Sequence, residues 1–81
     1  MRLDKFLKVS RLIKRRTVAN EISDKGRVLV NNNTAKPSKQ VKVGDIISIE
    51  YGTKIINAKI LQIPTTNVSI AQAPTLYQIL E

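Results

Sequence analysis

Seven cations stand within residues 2–16: Arg2, Lys5, Lys8, Arg11, Lys14, Arg15 and Arg16, with Asp4 the one acid among them. Such a cluster repels itself, and a polyanion removes that cost while releasing its own counterions. The chemistry it points to is phosphate binding. Acid–base and covalent chemistry find little support. The chain has no His and no Cys, which excludes the common general base, thiolate zinc sites, cysteine nucleophiles and disulfides. Its six acids are scattered, so a paired-carboxylate or metal-ion site is not expected. The composition favours a binding module over an enzyme, with no cofactor and no metal.

The cations are unevenly distributed. Residues 1–42 hold 12 Lys/Arg and 3 acids, a net +9, whereas residues 43–81 hold 2 and 3, a net −1. Solubility alone does not require that asymmetry. Lysine interrupts the apolar residues of the opening MRLDKFLKVSRL, so it is not a secretory signal, and no apolar run is long enough to span a membrane. The lack of Cys fits the cytoplasm. The starting Met and the absence of a tag suggest a complete small protein.

The elements that must position these cations follow from periodicity. Leu3, Phe6, Leu7 and Ser10 repeat as one helical face, with Asp4, Lys5, Lys8 and Arg11 on the opposite arc. The first helix is expected over about Arg2–Val9, with Leu12 and Ile13 in a short connection. Val18, Ala19 and Ile22 mark the buried face of a second helix over Arg16–Asp24, ended by Lys25-Gly26. Lys14, Arg15 and Arg16 lie at its start, where cations oppose the helix dipole. There, backbone N–H groups and positive side chains together suit a phosphate. Arg27–Val30 reads as a strand, the Asn31–Asn33 run as a turn, Lys36-Pro37-Ser38 as an exposed corner, and Val41 and Val43 as alternating residues before a Gly44-Asp45 turn. Ile46–Tyr51 and Ile55–Ile63 are strands around a turn at Gly52-Thr53, with Pro64 as a terminator. Residues 64–73 read as a loop, and Pro74 is expected to open a short helix holding Leu76, Ile79 and Leu80. The expected fold is α+β: a basic N-terminal helical pair packed on a small antiparallel sheet. Residues 1–63 form the domain and residues 64–81 a C-terminal extension.

The series Arg2-Leu3-Asp4, Arg16 three before Ala19, Ile22 before Gly26, Val28-Leu29-Val30-Asn31, Lys36-Pro37-Ser38 and Val41-Lys42-Val43-Gly44-Asp45 resembles the alpha-L RNA-binding domain, named after small-subunit ribosomal protein S-four. Each element is weak alone, but their order over more than half the chain is specific. Two positions depart from the pattern. Arg15 stands where family members often have a capping Ser or Thr, and Asn32 where they often have Gly. Larger members carry further parts, among them pseudouridine synthases and tyrosyl-tRNA synthetases. The opening RLDKFLKVSRLIKRR on a chain of this size is similar to the small bacterial ribosome quality-control members of the family and to a short heat-shock relative. That resemblance implies obstructed large ribosomal subunits as the target, with rRNA and peptidyl-tRNA as partners. It also implies a separate quality-control tRNA-recruiting factor and a role in C-terminal alanine tailing of stalled chains. The protein is expected to act as a monomer without a membrane partner.

The residues expected to contact RNA are Arg2, Lys5, Arg11, Arg15 and Arg16, with Lys8, Lys14, Lys25, Lys36 and Lys39 in support, because arginine forks onto phosphate while lysine is a flexible point charge. Asp4 is expected to orient its cationic neighbours. Charge removal at Arg2, Arg15 and Arg16 is expected to leave stability nearly unchanged. The aromatics are Phe6, Tyr51 and Tyr77, and Phe6 belongs to the apolar stripe, so aromatic base stacking has little support. Duplex DNA is a rival ligand, with Arg16, Asn20 and Ser23 toward base edges. An anionic membrane surface under the first helix is another.

Overall fold

The computed structural model describes residues 1–51, 53–65 and 68–80, with residues 16 and 51 described by backbone alone. Two helices come first, α1 over Leu3–Val9 and α2 over Arg16–Asp24. They are followed by strands β1 (Val28–Val30), β2 (Asn33–Thr34), β3 (Ile46–Tyr51) and β4 (Lys54–Ile60), a single 3-10 turn over Ala73–Leu76, and β5 (Tyr77–Leu80). The strands form one antiparallel sheet in the order β2-β1-β3-β4-β5.

Alternation along the strands decides which face meets the helices. Val28, Val30, Ile47, Ile49, Ala58 and Ile60 point inward and are buried. They join a core with Leu3, Phe6 and Leu7 of α1, Ala19 of α2, and Ile13, Ala35, Val41 and Leu76 from the connections. Ser10 closes the α1 stripe and is fully buried, its hydroxyl donating to the Leu7 carbonyl at 3.3 Å. Ser48 and Asn57, on the other face, pair side chain to side chain at 2.7 Å.

The two helices end alike. Each has a left-handed residue just beyond its last turn, Gly26 (φ 72) after α2 and Arg11 (φ 61) after α1. After α2, the Gly26 N–H donates to the Ser23 carbonyl and the Arg27 N–H to the Ile22 carbonyl, both at 3.0 Å, which is the Schellman arrangement. After α1, the Arg11 N–H donates to the Lys8 carbonyl at 3.0 Å.

Several expectations need correction. Asp4 is not on an exposed arc: it is 1% exposed. Arg11 does not continue the α1 arc but lies past the helix end. Within the expected exposed corner Pro37 is buried, while Lys36 and Ser38 are exposed. Val43 does not share the burial of Val41, being 58% exposed. Asn31 and Asn32 do form a turn, both at positive φ (52° and 68°), and it returns the chain into the two-residue β2, which polar Asn33 and Thr34 did not signal. β4 stops at Ile60 instead of Ile63 because β3, its partner, begins at Ile46; the Leu61 N–H turns to the Leu76 carbonyl at 2.8 Å. Ile79 and Leu80 lie in a strand, not a helix. The 3-10 turn opened near Pro74 ends at Leu76, and the open edge of β4 pairs residues 77–80. Gly52, the side chain of Tyr51, and residues 66–67 of the expected loop lie outside the described residues.

Candidate nucleic-acid interface

The N-terminus is held by the segment that follows β2. The Leu3 N–H donates to the Lys39 carbonyl at 2.8 Å and the Asp4 N–H to the Pro37 carbonyl at 3.1 Å. The Asp4 carboxylate accepts the Lys5 N–H at 2.8 Å, and the Arg2 carbonyl accepts the Phe6 N–H at 3.0 Å. The amides opening α1 are therefore all satisfied within the protein. At α2 the situation differs: among the described residues no side chain caps it, and its first turn holds no acid. Lys14 and Arg15, both exposed, stand at that end, where a helix N-terminus favours an anion.

Arg2 grips Asp4 through Nε and Nη2, both at 3.2 Å, and Asn20 Nδ2 approaches the same carboxylate at 3.5 Å. The Arg2 side chain keeps 47% exposure while that of Asp4 keeps 2%. Asp4 thus orients Arg2, as expected, but the partnership also makes Arg2 structural. Removing its charge takes one of several partners from a buried carboxylate that still accepts the Lys5 N–H, at a cost of roughly 0.5–1.5 kcal/mol. This contact argues against the expectation that charge removal at Arg2 leaves stability unchanged.

Lys5 and Lys8 project from α1 opposite Leu3, Phe6 and Leu7 and are exposed. With Arg11 they border a hollow of about 330 Å³ that reaches Met1, Val9, Pro64, Thr65 and Val68. Arg11 also borders a second hollow of about 570 Å³ with Lys14 and Arg15, over a floor of Leu12, Ile13, Val18 and Ile56. Arg11 borders both hollows, so Lys5 and Lys8 on one side and Lys14 and Arg15 on the other meet at it; these five residues are the cationic ridge. The side chain of Arg16 lies outside the described residues; its backbone opens α2.

Lys36 and Lys39 are not on that ridge. They line a groove of about 580 Å³ beside β2, together with Asn31, Asn33, Ser38 and Lys42. Lys42 was missed by sequence reasoning, although its spacing of three from Lys39, itself three from Lys36, was a visible signal. Asp45, 5% exposed, fixes this groove by accepting the Lys42 N–H at 3.0 Å and Asn31 Nδ2 at 3.1 Å. Lys25 caps the far end of α2, about 15 Å from Arg15 at the helical rise, and is separate from the ridge. Among the described residues no group of three His, Cys, Asp or Glu side chains could hold a metal ion, and no helix is long and apolar enough to cross a membrane.

Comparison with known proteins places this surface in context. The S4 domain family model matches residues 1–47. The RQC P-site tRNA stabilizing factor of Listeria innocua is 56% identical over the whole chain, which spans 87% of that relative. The factor of the same name from Bacillus subtilis is 47% identical, again over the whole chain and 93% of the relative. Among solved structures, the trimeric heat shock protein 15 of Vibrio cholerae superposes with a TM-score of 0.88 at 32% identity, over 99% of this chain and 81% of that one. The order of the helices, the β1 turn and the residue 36–45 segment is therefore that of a known architecture, and the chain belongs to the S4-domain family.

Proposed function

We propose that this protein is an RNA-binding factor of bacterial ribosome quality control. It docks on obstructed large ribosomal subunits, contacts rRNA and peptidyl-tRNA, and holds that tRNA while alanine is added to the stalled chain with a separate tRNA-recruiting factor. The observation that carries the reading is the ridge Lys5–Lys8–Arg11–Lys14–Arg15, which ends at the uncapped start of α2. Folded RNA presents phosphates in a fixed array, and a row of cations borne on packed helices reads that shape more than sequence. Arg2 and Arg16 extend the contact surface, and Lys25, Lys36 and Lys39 give weaker support. The names of the Listeria and Bacillus relatives supply the biological setting. The protein works by binding and not by catalysis, in the cytoplasm, and as a monomer, since copies carrying +8 repel one another.

The test is cosedimentation. The protein should travel with large subunits carrying peptidyl-tRNA and bind vacant subunits less well. A variant with Lys5, Lys8, Lys14 and Arg15 changed to Gln should remain in the supernatant. Equal recovery of variant and wild type with the subunits would refute the assignment of the ridge.

A further inference from the structure

The hollow between α1, the start of α2 and β4 has a composition that phosphate binding alone does not explain. Its rim is cationic, from the exposed Arg11, Lys14 and Arg15. Its floor is aliphatic, from Leu12, Val18 and Ile56, half-buried side chains packed on the margin of the core. A duplex backbone crossing the rim would satisfy the cations and leave the floor wet. The floor rewards a ligand that carries an apolar face beside its negative charge. At about 570 Å³ the hollow is within the range of small-ligand sites.

We infer that this hollow accepts one unstacked nucleobase, with the flanking phosphates on Arg11, Lys14 and Arg15. The inference deepens the RNA-binding reading and rests on it. A nucleotide joins a flat, largely apolar base face to an anionic backbone within one unit, which matches floor and rim together. Bases inside a helix cannot reach the floor, so the occupant comes from a bulge, a loop or a flipped position. Aliphatic walls suffice to hold a flipped base, and the guanidinium planes of Arg11 and Arg15 offer a further stacking surface. The backbone at Arg11 supports the assignment. Its φ of 61° is a conformation that L side chains resist, and α2 fills the equivalent position with Gly26. An arginine kept where glycine is the relaxed choice is strain of the kind that accompanies functional sites.

The experiment uses the full chain and two RNA hairpins of equal length and net charge, both closed by the same tetraloop of mutually stacked bases. One has a fully paired stem; the other carries a single bulged fluorescent adenine analogue in its stem. The bulged hairpin should bind about fivefold tighter, the low end of what stacking on an aromatic ring gives because this floor is aliphatic, and the analogue's emission should change on binding. Leu12→Gln and Val18→Gln, made separately, should erase both effects while affinity for the paired hairpin stays within about twofold, which also shows that the variants fold. Equal affinity of the wild type for the two hairpins, with unchanged emission, overturns the nucleobase site and leaves the RNA-binding reading intact. Competition at the hollow by an acidic, leucine-rich peptide without bulge selectivity overturns it in favour of a protein partner. Failure to bind either hairpin overturns the RNA-binding reading itself.

Discussion

Arg2 and Arg11 are both exposed arginines at the ends of α1, yet they have opposite relations to stability. Arg2 neutralises a buried carboxylate at 3.2 Å. Arg11 occupies a left-handed position that costs about 1–2 kcal/mol for a residue with a Cβ. Arg11→Gly should therefore raise stability by about 1 kcal/mol and the Tm by roughly 4–8 °C, while weakening RNA binding severalfold. Arg2→Gln should weaken RNA binding and lower the Tm together. Thermal melts paired with RNA titrations check both signs; a lower Tm for Arg11→Gly would remove the strain argument. The charge of these residues was legible in the sequence, but their conformations were not. Leu12 and Ile13 prolong the apolar pattern past the end of α1 and hide the left-handed step. Asp4 falls on the cationic arc by helical angle, and only the carbonyls of Pro37 and Lys39, more than thirty residues away, bring the chain over it.

The elements that sequence reasoning placed best are those set by local rules. α2 carries its own punctuation: an apolar turn from Val18 to Ile22, then Gly26 in the left-handed conformation that closes a Schellman motif. Gly26→Ala should cost about 1–2 kcal/mol, because the new Cβ must adopt φ 72° and would meet Thr34 Cγ2 at 3.4 Å. Urea unfolding measures it; an unchanged midpoint would show that the α2 cap does not constrain the fold. β3 was equally plain from its alternation. What stayed hidden depends on distant partners. β2 exists because two asparagines at positive φ fold it onto β1, and β5 exists because β4 offers an open edge to residues 77–80. The same limit applies to the interface. The cationic residues were readable one by one, but that Arg11 joins two hollows, and that Lys36 and Lys39 belong to a separate groove with Lys42, required the fold.

In the whole molecule the sheet supplies a neutral, rigid support and the N-terminal half the charge: 12 of the 14 Lys/Arg precede residue 43, in a body of 28 × 26 × 21 Å. On so small a body the repulsion among those cations is partly relieved only when phosphates lie against them. The most direct test of the account is the salt dependence of affinity for a folded RNA, wild type against the variant with Lys5, Lys8, Lys14 and Arg15 changed to Gln. With roughly six phosphates engaged, log K should fall with log salt with a slope magnitude of about 4–5, and the variant should lose about 3 of that. A flat response in the wild type, or the same slope in both proteins, would contradict the claim that this ridge holds the RNA.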